Sequence, residues 1–196
     1  ASGLTGTGTV VHVLVNRDMT TVALSTPDAG GTIAVFPYGA LSAHRRFTAR
    51  VLSGSEVDLG TLGTAVVGSG RELAVRDPAT GAVEPQTAYR ASVTVTMRYS
   101  DDDGDGLVDG SGLPVRRLKL FVRREATGQW ETGTDVVVST GARTVRATVP
   151  FLGRVVLGVS REPTDLLVDN RPSPAVIDVE FPVFSWTNGV PSQSAF

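Results

Sequence analysis

The chain has 196 residues and a net charge of −2, and 41% of its residues are apolar. It is long enough to bury a real core, too apolar for a disordered chain, and lacks the basic excess of a general nucleic-acid binder. It has no cysteine, which excludes disulfides, thiol nucleophiles and thiolate metal sites.

Glycine (22) and proline (11) are frequent, and the apolar runs are short, rich in Val, Thr and Ile, and broken by turn residues. That pattern predicts an all-β protein; with the strands and the resemblance described below, the expected fold is an antiparallel β-sandwich of the immunoglobulin-like kind with additional strands at both ends. No apolar run is long enough to span a membrane as a helix, and no signal peptide is visible. The small, polar start Ala1–Gly8 looks like a mature N-terminus left after signal cleavage, so the expected setting is extracellular or at the cell surface.

In chain order, residues 1–19 form a lead that contains the strand Val10–Val15, apolar on both faces. Strands are then expected over Thr20–Ser25, within Gly31–Ser42, and over Arg46–Leu52. Ser53–Gly70 reads as loops around a short Thr64–Val67 strand. Leu73–Val75 is followed by an Asp77–Gly81 turn. Ala91–Tyr99 alternates cleanly, with Val93, Val95, Met97 and Tyr99 on one face. Leu118–Val122 and Gln129–Glu131 flank a Glu125–Gly128 turn, and Asp135–Ser139, Arg143–Val149 and Arg154–Ser160 complete a predicted meander. Residues 20–160 are therefore taken as the sandwich. Residues 161–174 read as a linker carrying Pro163, Pro172 and Pro174. Residues 175–196 hold a strongly strand-like tail over Ala175–Trp186, in which Pro182 cannot donate a ladder bond.

Gly31-Thr-Ile-Ala-Val-Phe-Pro-Tyr-Gly-Ala-Leu-Ser42 resembles a motif of the β-sandwich domain of ankyrins and netrin receptors and of related secreted bacterial domains. It departs by placing Phe36 before Pro37. Tyr99, the acidic stretch after it, Leu118–Phe121, Thr127–Trp130, Thr144–Val149 and Val155–Gly158 extend the likeness over roughly residues 20–160. The resemblance implies a sandwich fold and an exported setting, and it brings no partner-binding motif.

Five carboxylates fall within Asp101–Asp109. Calcium takes six to eight oxygens, and an EF-hand loop supplies them from positions 1, 3, 5, 7, 9 and 12 around a glycine at 6. Asp101, Asp103 and Asp105 stand at 1, 3 and 5, Gly106 at 6, the Leu107 carbonyl at 7 and Asp109 at 9. Position 12 is Gly112, so the bidentate acid is missing. The loop resembles the D-x-D-x-D-G loops of dockerins, thrombospondin type 3 repeats and bacterial surface proteins. The competing reading is a solvated acidic hairpin tip. We expect calcium, in a structural role, tying the Val93–Tyr99 strand to Leu118–Val122.

No residues are singled out as catalytic. Only His12 and His44 offer imidazole bases, and neither a G-x-S-x-G elbow nor an H-E-x-x-H motif occurs. The arginine pairs Arg45-Arg46, Arg116-Arg117 and Arg123-Arg124 read as solvated strand faces, with a local anion patch as the sharper alternative. The terminal strands suggest self-association, one of them adding to a neighbour's sheet as a donor strand. The expected function is a non-enzymatic structural subunit of an extracellular assembly: a filament, surface layer or adhesin. The alternative is a non-catalytic polysaccharide- or protein-binding module using an exposed Trp130 or Trp186. A glycoside hydrolase or other hydrolase stands third.

Overall fold

The computed structural model describes residues 10–14, 20–23, 31–43, 45–161, 166–168, 171–172 and 184–186. Within them the protein is an all-β antiparallel sandwich. The larger sheet runs in the order β1 (Val10–Leu14), β4 (Arg45–Val51), β6 (Arg71–Arg76), β14 (Arg154–Ser160), β10 (Lys119–Arg124), β11 (Gln129–Thr132), and β5 (Gly63–Ala65) also pairs with β14. The smaller sheet has the order β12 (Thr134–Ser139), β13 (Thr144–Val149), β7 (Val93–Arg98), β3 (Ile33–Phe36), β2 (Thr20–Ala23).

Alternation builds the core. Val93, Val95, Met97 and Tyr99 are all buried, as their spacing predicts, while Thr94, Thr96 and Arg98 are not. They meet Phe47, Leu73, Val75, Leu120, Val122, Val155 and Leu157 of the larger sheet in one apolar cluster. Each such side chain contributes about 1.5–3 kcal/mol of transfer free energy. Phe36 and Phe47 close one part of the core edge-to-face, with ring centroids 6.0 Å apart.

The predicted meander at the end of the sandwich is corrected. After the β10–β11 hairpin the chain passes through Gly133 alone and enters the opposite sheet as β12. The Gly133 N–H donates to the Leu120 carbonyl at 2.8 Å, and a Cβ on this residue would lie 2.9 Å from Ala147 Cβ. This corner is closed to any larger side chain. Consequently β13 pairs with β7, and β14 pairs with β10, so β13 and β14 belong to different sheets. On β12 the register shifts between Thr134 and Val137, where Asp135 has φ of 49°. Such a bulge bends an edge strand away from further pairing.

The larger sheet has a second buried face. Phe121 and Val156 point outward and are covered by Leu52, Val57 and Leu59 from the loop that precedes β5. That loop makes two short 3-10 turns, Gly54–Glu56 and Gly60–Leu62. Trp130 joins this cluster, is only 9% exposed, and donates its indole N–H to the Asp58 carbonyl at 2.8 Å. The expectation of an exposed Trp130 is therefore corrected. It is a clasp that holds the loop on the sheet, leaving little ring face for a ligand.

β1 pairs with β4 at the edge of the larger sheet, which sets His12 opposite Phe47. Beyond the sandwich, β15 (Leu166–Val168) pairs with both β16 (Arg171–Pro172) and β17 (Phe184–Trp186) in a separate small sheet. Strand pairing thus occurs inside the stretch that reads as a linker. Of the strand expected over Ala175–Trp186, Phe184–Trp186 is described, while the rest of it, with Pro182, and His44 lie outside the described residues.

Candidate functional site: an acidic loop bridging the two sheets

The acidic stretch links β7 of the smaller sheet to β10 of the larger one. It contains a miniature hairpin of β8 (Leu107–Val108) and β9 (Leu113–Pro114) that the sequence did not announce. Val108 is its buried anchor, 2% exposed. The Val115 N–H donates to the Gly106 carbonyl at 2.9 Å. This bond makes Leu107 and Pro114 a non-hydrogen-bonded pair, whose main-chain polar groups point away from the partner strand. Pro114 has no N–H to lose there. Leu107 turns its own N–H to Asp105 Oδ1 at 2.7 Å, so its carbonyl lies on the loop side too. Gly106 holds φ of 80°, a conformation that a side chain would strain.

The five carboxylates divide into three jobs. Asp101, Asp103 and Asp105 each bring an oxygen into one group, all within 4.8 Å of one another. Asp102 turns aside to Arg143, at the start of β13, in an ion pair. Asp109 accepts the Asp102 N–H through Oδ2 at 3.0 Å, and its own N–H donates to the Ser100 carbonyl at 2.9 Å. It closes the base of the loop. Arg143 escapes sequence reasoning because it lies 41 positions from Asp102. Its one local trace is a positive φ of 51°.

The residues fit a hard cation by one direct test. Asp101 Oδ1 is buried and has no hydrogen-bond partner among the described residues. A buried carboxylate oxygen without a donor is costly, and a cation among the three aspartates would satisfy it. Asp101, Asp103, Asp105 and the Leu107 carbonyl would supply ligands. The Asp109 carboxylate, with one oxygen on the Asp102 amide, suits the ninth position, often bridged by water. Calcium there would supply charge neutralisation and a fixed geometry, with no part in bond-making.

Elsewhere strand alternation separates Arg45 from Arg46 and Arg123 from Arg124, while Arg116 and Arg117 lie in a short 3-10 turn, Val115–Arg117. Arg45 is paired with Glu84, and Arg124 with Glu131, while Arg124 also lies 4.7 Å above the Phe151 ring. On the outer face of the larger sheet, Arg50 holds both Glu56 and Glu72. The Arg50 hydrogen bonds, followed by those from Ser53, pull the Glu56 carboxyl down from 4.5 to about 2. A carboxyl lowered by folding adds stability that is fully present above its unfolded value and is lost as pH falls through its folded value. The urea midpoint should therefore drop between pH 4.5 and about 2. Glu56→Gln should shrink that drop by lowering the midpoint near neutrality while leaving the acid end in place, a small effect in an exposed pair. An identical acid limb in both proteins would discount the Arg50–Glu56 contact.

No protein-family model matches the chain, and no curated protein matches it.

Proposed function

We propose that this chain is a non-catalytic structural module of an extracellular or cell-surface assembly, stiffened by calcium at Asp101–Asp109. The observation that supports the reading is the buried Asp101 Oδ1, without a hydrogen-bond partner among the described residues, on an aspartate grouped with Asp103 and Asp105. A cation held there ties together two strands that belong to different sheets, which is a mechanical role. The likeness to secreted sandwich domains of the ankyrin and netrin-receptor type, with a dockerin-like loop, belongs to the same reading.

Self-association through the terminal strands completes the proposal. Within one chain β1 occupies the edge of the larger sheet and β17 pairs with β15. A strand from a neighbour adding beyond β1 would satisfy main-chain groups and propagate head to tail. Sedimentation velocity in calcium, on the full chain and on one lacking residues 172–196, tests it. The full chain should form concentration-dependent oligomers and the shortened one should not. Two monomers of unchanged shape would remove the assembly role while leaving the calcium site intact.

A further inference from the structure

The outer face of the larger sheet carries a second feature, and it does not depend on calcium. Arg50 lies opposite Glu72, Glu72 opposite Arg154, and Arg123 opposite Trp130. The β10–β14 pairing ends with Val122 opposite Val155, and Arg123 and Arg154, the next residues outward on the two strands, line one groove. Both share the face of Phe121, Val156 and Trp130, because alternate residues of a strand point the same way. The row therefore reads plus, minus, plus, plus, indole. Two like charges side by side across a ladder destabilise a sheet. Such local conflicts in an otherwise consistent fold are expected where a ligand supplies the missing partner.

The acids nearby do not resolve the conflict. Glu72 is held by Arg50 through two hydrogen bonds, of 2.6 and 3.1 Å. Glu56 is taken by Arg50 and Ser53. Asp58 Oδ1 accepts the Gly60 N–H at 2.7 Å. Among the described residues Arg154 has one ion pair, to the half-exposed Glu125 at 3.6 Å. Arg123 spends its Nε on the Gly128 carbonyl at 3.1 Å and has no carboxylate partner among the described residues. Both arginines line a groove of about 700 Å³, walled on one side by the loop bearing Ser55 and Thr61 and on the other by Gln129.

The geometry points to this groove as a binding site for a carboxylated glycan, a uronate-bearing segment of polysaccharide. Arg123 and Arg154 would take the sugar carboxylate through paired N–H donors, the geometry that guanidinium groups favour. The Ser55 and Thr61 hydroxyls and the Gln129 amide face the ring hydroxyls. The lining is mixed, with Leu59 and Leu62 beside the hydroxyls and the amide, and suits the apolar C–H face and hydroxyl edges of a sugar ring better than an acidic peptide, which would need pockets for its side chains.

Amide and indole resonances followed by NMR during titration with tetragalacturonate test this, with calcium held constant in every arm. The Trp130 indole N–H, Gly128 and Gln129 signals should move together. Fully methyl-esterified tetramer should bind at least about tenfold more weakly, the loss of one charged contact. Arg123→Gln and Arg154→Gln should each weaken binding by about tenfold while keeping the spectrum of the fold, and added salt should do the same to the native protein. Unmoved groove signals, equal binding of the methyl ester, or unchanged affinity in both variants would overturn the inference. Tighter binding of tetraglutamate than of the uronate would overturn it also, assigning the groove to acidic peptides. None of these outcomes bears on the Asp101 cation site, whose state is read by calcium titration alone.

Discussion

Asp101→Ala is expected to abolish the calcium-dependent rise in melting temperature. In the native protein, calcium at about a hundred times its dissociation constant should add ~2.7 kcal/mol to the folded state. For a domain of this size that corresponds to ~5–10 °C. Asp101 is the sensitive position because its Oδ1 is buried with no hydrogen-bond partner among the described residues, so a bound cation would gain most there. The neighbouring Asp102→Ala is the control. It removes the same formal charge from the same loop, yet its carboxylate serves Arg143 and lies outside the group of three. That variant should keep most of the calcium shift and lose only the small worth of an exposed ion pair. Equal losses in the two variants would mean a diffuse counter-ion effect, and no shift in the native protein would remove the site.

Trp130→Ala should be the most damaging single change on the outer face. Truncating a buried indole costs about 3–5 kcal/mol through lost transfer energy and the cavity left behind. The change also strands the Asp58 carbonyl, which accepts the indole N–H at 2.8 Å. The melting temperature should fall by roughly 10 °C or more. The loop carrying Leu52, Val57 and Leu59 should lose its protection from amide exchange before the sandwich core does. Trp130→Phe should recover part of the packing and none of the hydrogen bond. A melting temperature within ~1 °C of native for Trp130→Ala would mean that the loop is held by other contacts. This variant cannot serve as a clean test of glycan binding, since it disturbs the wall of the groove.

The strands were legible where burial is one-sided. Val93, Val95, Met97 and Tyr99 alternate with Thr94, Thr96 and Arg98, and the structure buries the first set as the pattern demands. Pairing between strands was not legible, because periodicity says which face is apolar and nothing about the neighbour. Gly133 reads as an ordinary turn glycine, yet it moves the chain from one sheet to the other. Trp130 follows a turn and so suggests exposure, while its cover comes from Asp58, 72 positions earlier. In the acidic loop, the spacing of Asp101, Asp103 and Asp105 was enough to group them. The different duties of Asp102 and Asp109 depend on Arg143 and on a main-chain amide that no local pattern encodes.

The position of β14 has a kinetic consequence. This strand is the last of the sandwich in sequence, yet it sits between β6 and β10 and also receives β5. Arg154 and Val155 pair with β6, and Gly158, Val159 and Ser160 pair with β5. Until it arrives, β10 and β11 form an isolated hairpin, and β1, β4 and β6 form a partial sheet with an open edge. Closure of the domain therefore waits on contacts of very long sequence separation, which places folding toward the slow, millisecond-to-second end for β proteins. A chain that ends short of Ser160 presents unpaired strand edges on both halves, the condition that favours aggregation. The strand that completes the sheet is thus also the one whose delay exposes the molecule most.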